Sequence, residues 1–533
     1  MLMCYRLLLL LLLNCVKAND SPLHIVVAIA DDLGWSDVSF QNVSAINTPH
    51  IDQLANRGII LTNHYVQPLC SPSRASLLTG KYPIHLGAGL NENVFSPDGD
   101  KGLPLTETLL PEKLKELRYK TALFGKWHLG SSKLGYVPTR RGFDRFYGFY
   151  SGAIDYYLHN QTAHRCLKLK KEASFLDFRD QEKVVRDRQG EYSAKVFDEE
   201  AVKFIKGHNN SQPLFLVMSY QNVHDPLQVP EQYSSMYRHI GDKDRRIYAG
   251  MASYLDNSMR LLTDALVNNG FWNNTLLLFL SDNGGNPTSA GYNWPLRGAK
   301  GTLWEGGIKS VSFLSGGFLK RTGFKSDSLV HVSDWFPTLL NLARKHSSRV
   351  LRSNKPGKVS KNNKTVKRRE GSDLDGIDIW KAVSEFGSKS KRKHIVHNIN
   401  SKSYAVRKGN WKLISELDMG WLQPPEIANG TAHNMTDRPL DPKEFTGHLL
   451  DARLPRIQNG LFDISRDISE QHDLSAERPE IVAELFEIVK KYNETIVAHA
   501  VNYKCNDDAI EKAKKGNAWG PFSRRTSSIS SLL

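Results

Sequence analysis

The chain has 533 residues, enough for two or three domains around a large core. Hydrophobic residues make up 40% and charged residues 24%, ordinary for a globular protein and far from a disordered or membrane-embedded composition. The net charge of +15 suggests an acidic partner, but eleven Lys and Arg and no acid lie between Arg344 and Arg369, which leaves +4 for everything else and argues against a nucleic-acid-binding face.

Met1 to Ala18 reads as a signal peptide, with Arg6 as the positive region, Leu7 to Leu13 as the apolar stretch and Val16-x-Ala18 as the cleavage site. Seven residues are too few to span a bilayer, and no later stretch approaches the length of a membrane span. A route through the secretory pathway follows, ending in the lysosome or outside the cell. Cys4 and Cys15 leave with the signal peptide. With Cys70 taken up by the site argued below, Cys166 and Cys505 allow at most one disulfide. Nine Asn-x-Ser/Thr sequons, from Asn19 to Asn493, fit a surface-glycosylated protein.

The folded part begins at Ser21. His24 to Ala30 is a β-branched apolar run, a buried parallel-type strand ending in Asp31-Asp32. Adjacent carboxylates at a strand end repel each other unless a cation sits between them. Thr48 to Ala55 predicts a helix. A second helix begins at Cys70, where Pro72 suits the first turn. The free N–H groups and dipole there favour an anion, and Arg74 lies one turn along the same face.

Thr108 to Leu117 predicts a helix and Lys120 to Phe124 a strand. The next residues are Gly125-Lys126-Trp127-His128-Leu129-Gly130; if the chain stays extended, Lys126 and His128 share a face. Val137 to Phe149, rich in aromatics and glycine, reads as loop. Asp198 to Lys206 predicts a helix. Pro213 to Ser219 is a buried strand leading to His224-Asp225-Pro226. Tyr248 to Asn268 is helical, with Met251, Tyr254, Leu255, Met259, Leu262 and Leu266 on one core-facing stripe. Thr275 to Leu280 is a further buried strand, running into Asp282-Asn283. Lys300 follows in Leu296-Arg-Gly-Ala-Lys-Gly301, and Ser333 to Leu342 predicts a helix.

Buried strands alternating with helices indicate a doubly wound α/β domain, in which ligands bind beyond the C-terminal strand ends. Four runs here end in Asp-Asp, Lys-x-His, His-Asp-Pro and Asp-Asn, which argues for one polar site at one sheet edge. Residues 344–370 read as an exposed basic loop. It is a candidate for binding sulfated polysaccharide or for cleavage at Lys367-Arg368-Arg369, and equally a tolerated insertion. Beyond it, Leu374 to Trp380 resumes order. His394 to Asn398, Tyr404 to Ile414 and Leu461 to Ile464 predict a smaller antiparallel sheet, and residues 481–492 an amphipathic helix.

Cys70-x-Pro72-x-Arg74, continued by Ala-Ser-Leu-Leu-Thr79-Gly80, resembles the signature of the sulfatase family. The resemblance runs from about Leu23 to Trp519. It implies an alkaline-phosphatase-like α/β sandwich with a large mixed, mostly parallel sheet (residues 19–343 and the stretch from 371), leading from about residue 395 into a smaller C-terminal α+β domain with an antiparallel sheet. It implies that Cys70 is converted to formylglycine by the formylglycine-generating enzyme, and that one Ca²⁺ is held by Asp31, Asp32, Asp282 and Asn283, completed by the modified Cys70. Oxygen-only ligands suit a hard cation.

By the same resemblance, the diol made from Cys70 attacks sulfur and Arg74 stabilises it. Lys126 and Lys300 hold the sulfate. His224, with Lys300, protonates the leaving alcohol, and His128 takes the proton that lets sulfate depart. The C-terminal motifs, among them Leu374 to Trp380, His397 to Ile399 and Arg407 to Leu413, are most similar to arylsulfatase B-type N-acetylgalactosamine-4-sulfatases and to arylsulfatases I and J. That implies sulfated galactosamine of dermatan or chondroitin sulfate as substrate. The competing reading is an idle relative that only binds sulfated glycans; the intact constellation argues against it. A phosphoester hydrolase is opposed by the Cys70 signature. The chain departs from its relatives in carrying cysteines for at most one disulfide.

Overall fold

The computed structural model describes residues 21–41, 45–163, 173–353, 373–428, 456–498 and 506–522. The expected signal peptide, Cys166, Cys505 and the basic segment from residue 354 onward lie outside the described residues.

The centre of the molecule is a ten-stranded mixed sheet. Its strands run in the order Phe324–Ser326, Ile59–Leu61, Ser312–Ser315, Thr275–Ser281, His24–Ala30, Leu214–Ser219, Lys120–Lys126, Arg145–Phe149, Arg179–Asp180, Lys183–Val184. The five from Thr275–Ser281 to Arg145–Phe149 are mutually parallel. Antiparallel strands flank them on both sides. Side chains of successive strand residues point to opposite faces, so each apolar strand feeds two cores. Val26, Ala28, Leu277 and Phe279 join one core with Met251, Leu255, Met259, Leu262 and Leu266 of the Lys243–Asn268 helix. Ile25, Val27, Ile29 and Leu278 join the other with Ala75, Leu77 and Leu78 of the Cys70–Thr79 helix. That is the α/β sandwich expected, with helices on both faces.

The second sheet is antiparallel and takes its four strands in chain order: His394–Ile399, Tyr404–Lys408, Trp411–Leu417 and Arg456–Asp463. The Pro479–Asn493 helix packs on it through Leu485 and Val489. Among the described residues no helix is long and apolar enough to cross a membrane.

Two expectations are corrected. Val137 to Phe149 is not all loop: Arg145–Phe149 is a strand parallel to Lys120–Lys126, and Phe146, Tyr147 and Phe149 are buried core rather than loop aromatics. The basic loop does not begin at Arg344. The helix over Trp335–Ser353 continues through that point, because residues 344–353 hold no proline or glycine to stop it.

The four strands whose ends were singled out are adjacent and parallel in the sheet centre. Their C-terminal ends therefore share one edge.

Candidate active site

The Asp31-Asp32 turn is knitted into its neighbours. Asp31 N donates to Asn222 O (3.0 Å), Asp282 N to Ala30 O (3.0 Å), and Asp32 N to the Asp282 carboxylate (3.3 Å). Cys70 opens its helix directly after Leu69, which is still extended, and the whole helix is buried. Cys70 Sγ lies 3.4 Å from Asp31 Oδ1 and 3.9 Å from Asp32 Oδ1. Arg74, one turn on, places Nε and Nη2 at 2.9 and 2.8 Å from Asp282 Oδ2 and Nη1 at 2.5 Å from Ser219 Oγ.

Lys126, the last residue of its strand, pairs with Asp31 Oδ2 at 2.5 Å. Lys300 pairs with Asp32 Oδ2 at 2.6 Å. His224 turns Nε2 toward Asp32 Oδ2 (3.7 Å), while Nδ1 meets the Asp225 carboxylate at 2.9 Å. His128 comes to the site by a route other than strand alternation. The strand stops at Lys126, and His128 adopts a left-handed backbone (φ 59°). Its carbonyl accepts from Ser71 Oγ (2.8 Å), which ties it to the residue after Cys70. Its Nε2 meets Phe95 O at 3.0 Å, so Nε2 carries the proton and the buried Nδ1 is left as a free acceptor.

Every predicted residue is thus at one place. Asp31, Asp32, Cys70, Arg74, Lys126, His224, Asp282, Asn283 and Lys300 form one contact network, and His128 adjoins it. Two partners were not foreseen. Ser219 holds Arg74, and Asp225 orients His224. Both sit in the quoted runs, at a strand end and beside a histidine, and that adjacency was the available signal.

Three buried carboxylates face four cationic groups. Burial would raise Asp31, but Lys126, ahead of His224, Arg74 and Lys300, holds it well below the usual carboxylate range. Asp282 is pushed up to about 6, by burial and then by Asp31. Burial, with Lys126 and Arg74 beside it, holds His128 well below its usual value, so its imidazole is neutral. The Cys70 thiol is pushed up by burial and by Asp282, which makes it a poor thiolate nucleophile as it stands.

The residues fit a hard cation. Asn283 Nδ2 donates to Asp32 Oδ1 (2.7 Å), while Asn283 Oδ1 is buried with no donor. Ligand atoms of Asp31, Asp32, Cys70 and His224 lie within 4.8 Å of one another. Asp31, Asp32, Asp282 and Asn283 offer oxygen donors only, which suits a hard cation such as Ca²⁺ or Mg²⁺ more than zinc.

A sheet edge that gathers an acidic pair, a buried helix-start cysteine and two lysines in this chain order defines a class. The Sulfatase family model matches residues 24–345. The chain belongs to the sulfatase family and is a sulfuric ester hydrolase. Among its relatives, arylsulfatase J of Mus musculus is 36% identical over 528 residues, covering 95% of this chain and 81% of that enzyme. N-acetylgalactosamine-6-sulfatase of Mus musculus is 30% identical over 344 residues, covering 62% of this chain and 64% of that enzyme. Among solved structures, Ps i-CgsB matches with a TM-score of 0.70 at 27% identity, over 93% of this chain and 98% of that one; it has also been seen in complex with k-i-k-neocarrahexaose.

Proposed function

We propose that the enzyme removes sulfate from N-acetylgalactosamine 4-sulfate groups of dermatan or chondroitin sulfate, using formylglycine made from Cys70 and one Ca²⁺ held by Asp31, Asp32, Asp282 and Asn283. The observation that carries the chemistry is Cys70 at a buried helix start, 3.4 Å from Asp31, with Lys126 and Lys300 on the flanking carboxylates. The 4-sulfate position is supported by the C-terminal motifs, and a sulfated galactosamine in general by the relative named N-acetylgalactosamine-6-sulfatase.

When present, the hydrated formylglycine supplies the nucleophilic hydroxyl, and the cation favours its ionised form. The chain's own residues do the rest. Lys126 and Lys300 neutralise the sulfate oxygens, and Arg74 holds Asp282 in place. His224 donates a proton from Nε2 to the departing sugar oxygen; Asp225 on Nδ1 and Tyr156, whose hydroxyl donates to His224 O (3.0 Å), fix its orientation. Neutral His128 accepts a proton at Nδ1 as sulfate is released. The nascent chain would need the formylglycine-generating enzyme, and the mature enzyme would work in the lysosome or outside the cell.

Protein from a eukaryotic host should hydrolyse an aryl sulfate, and Cys70→Ala should not. Defined disaccharides then separate the substrates: faster release from the 4-sulfate than from the 6-sulfate supports the proposal, and the reverse order moves it to the 6-sulfate.

A further inference from the structure

We infer that Arg297 and Trp421 are positioning residues which hold Lys300 beside Asp32, so that the C-terminal domain sets part of the catalytic geometry. This rests on the role proposed for Lys300 above.

Lys300 is carried by a loop, not by a strand end. Gly298 (φ 75°) and Gly301 (φ 87°) are left-handed on either side of Ala299-Lys300. Glycines at both ends leave a short segment free to swing, and a lysine stem adds rotamers of its own. Within the catalytic domain, Lys300 N bonds to Gly285 O (3.1 Å) and Gly301 N to Pro68 O (2.8 Å). Ala299 N also donates to Thr302 Oγ1 (3.2 Å) and Gly306 N to Arg297 O (2.8 Å); further restraints come from the C-terminal domain.

Arg297 is 4% exposed. Its guanidinium lies 3.9 Å from the ring centre of Trp304 and 4.7 Å from that of Trp421, held between two indoles. One of its arms pairs with Asp418, and the other donates to Glu470 O at 3.0 Å. Trp421 is fixed in turn by Nε1 donating to Ser469 O (2.6 Å). On either side of Lys300 the backbone follows the same route. Gly298 N donates to Gly420 O (2.9 Å), Leu303 N to the Glu416 carboxylate (3.3 Å), and Trp304 Nε1 to Leu417 O (2.8 Å). The segment bearing Lys300 is therefore docked on the residues that end the Trp411–Leu417 strand and on the stretch before Pro479. A flat, always-charged group suits a slot between two rings; an ammonium does not.

The direct test is the reactivity of each lysine toward an amine-acylating reagent, read by peptide mass spectrometry on full-length protein. In Trp421→Ala and Arg297→Ala, labelling of Lys300 should rise severalfold relative to wild type while labelling of buried Lys126 stays put. Trp421→Phe, which keeps a ring face, should restore the wild-type value. In parallel, kcat/KM on an aryl sulfate should fall about a hundredfold in Arg297→Ala, as for a displaced reacting group. Arg297→Ala combined with Lys300→Ala should lose no more than Lys300→Ala alone. Unchanged Lys300 labelling overturns the inference. So does labelling that rises equally at Lys126, or fully additive losses in the double variant. A wild-type enzyme inactive on sulfate esters would refute the proposed function instead, and the labelling result would still decide this one.

Discussion

At the scale of single residues, the site is a balance of charges that cannot be dismantled one at a time. Lys126 is buried and sits 2.5 Å from Asp31. Lys126→Ala should lower kcat/KM by about 10²- to 10³-fold, as loss of a preorganised charge partner does, measured by steady-state kinetics on an aryl sulfate. Asn283 offers a buried oxygen with no donor. Asn283→Leu should weaken cation binding, so that chelation by EGTA inactivates the variant at lower chelator concentration and Ca²⁺ restores it only at higher concentration. Equal EGTA sensitivity of variant and wild type would remove Asn283 from the ligand set. Cys70 and Arg74 were legible because Cys70-x-Pro72-x-Arg74 and its continuation to Gly80 resemble the sulfatase signature; helix spacing alone, which puts the two on one face, fits a plain buried cysteine equally well. His128 was legible only through its neighbours: period-two alternation failed there, since the chain leaves the strand at Lys126 and turns left-handed.

At the scale of elements, buried polar side chains lock helices to strand ends. Arg245, wholly buried in the Lys243–Asn268 helix, donates to Asp37 (2.7 Å) and pairs with Glu426 (2.7 Å). Asp37 in turn accepts from Tyr248 (2.7 Å) and Tyr292 N (2.9 Å) beside the Asp32 turn. Arg245→Met leaves two carboxylates without their partner and should cost about 3–5 kcal/mol of stability in denaturant unfolding. The sequence did not show this residue as core, because Lys243-Asp-Arg-Arg246 is a charged run ahead of the helix expected from Tyr248 and such a run reads as solvated. His64 is a second lock. It accepts from Trp335 Nε1 at 2.8 Å, and burial lowers its pKa to about 3. The unfolded chain protonates this group near pH 6.5 and the folded chain only near 3. Unfolding therefore takes up a proton between those values, and stability drops as pH falls, by about 1.4 kcal/mol per unit for this one group. His64→Gln, which can still accept from Trp335, should flatten the slope between pH 6.5 and 4 by up to that amount. An unchanged slope would mean that His64 is protonated in the fold.

At the scale of the whole molecule, residues 506–522 pack back on segments hundreds of positions earlier in the chain. Asn506 to Phe522 packs Ile510, Ala513 and Trp519 against Phe175. Trp519 Nε1 donates to Gln161 O (2.6 Å), and Phe522 N reaches Ser132 O (3.0 Å), four residues past His128. Trp519→Ala should cost about 3–5 kcal/mol, read as a lower denaturation midpoint. The layered α/β architecture and the shared sheet edge could be read from the sequence, because apolar runs and their polar endings are local patterns. The closing strap and the docking of the Lys300 loop on the end of the Trp411–Leu417 strand could not. Each depends on residues more than a hundred positions apart whose contacts leave no periodic trace.

We propose that Cys70 is not a cysteine in the working enzyme, and mass spectrometry of the Cys70 peptide from protein made in a eukaryotic host decides it. Formylglycine should stand at position 70 in the active fraction and be absent from Cys70→Ala. Unmodified cysteine throughout a preparation that nonetheless hydrolyses sulfate esters would contradict it.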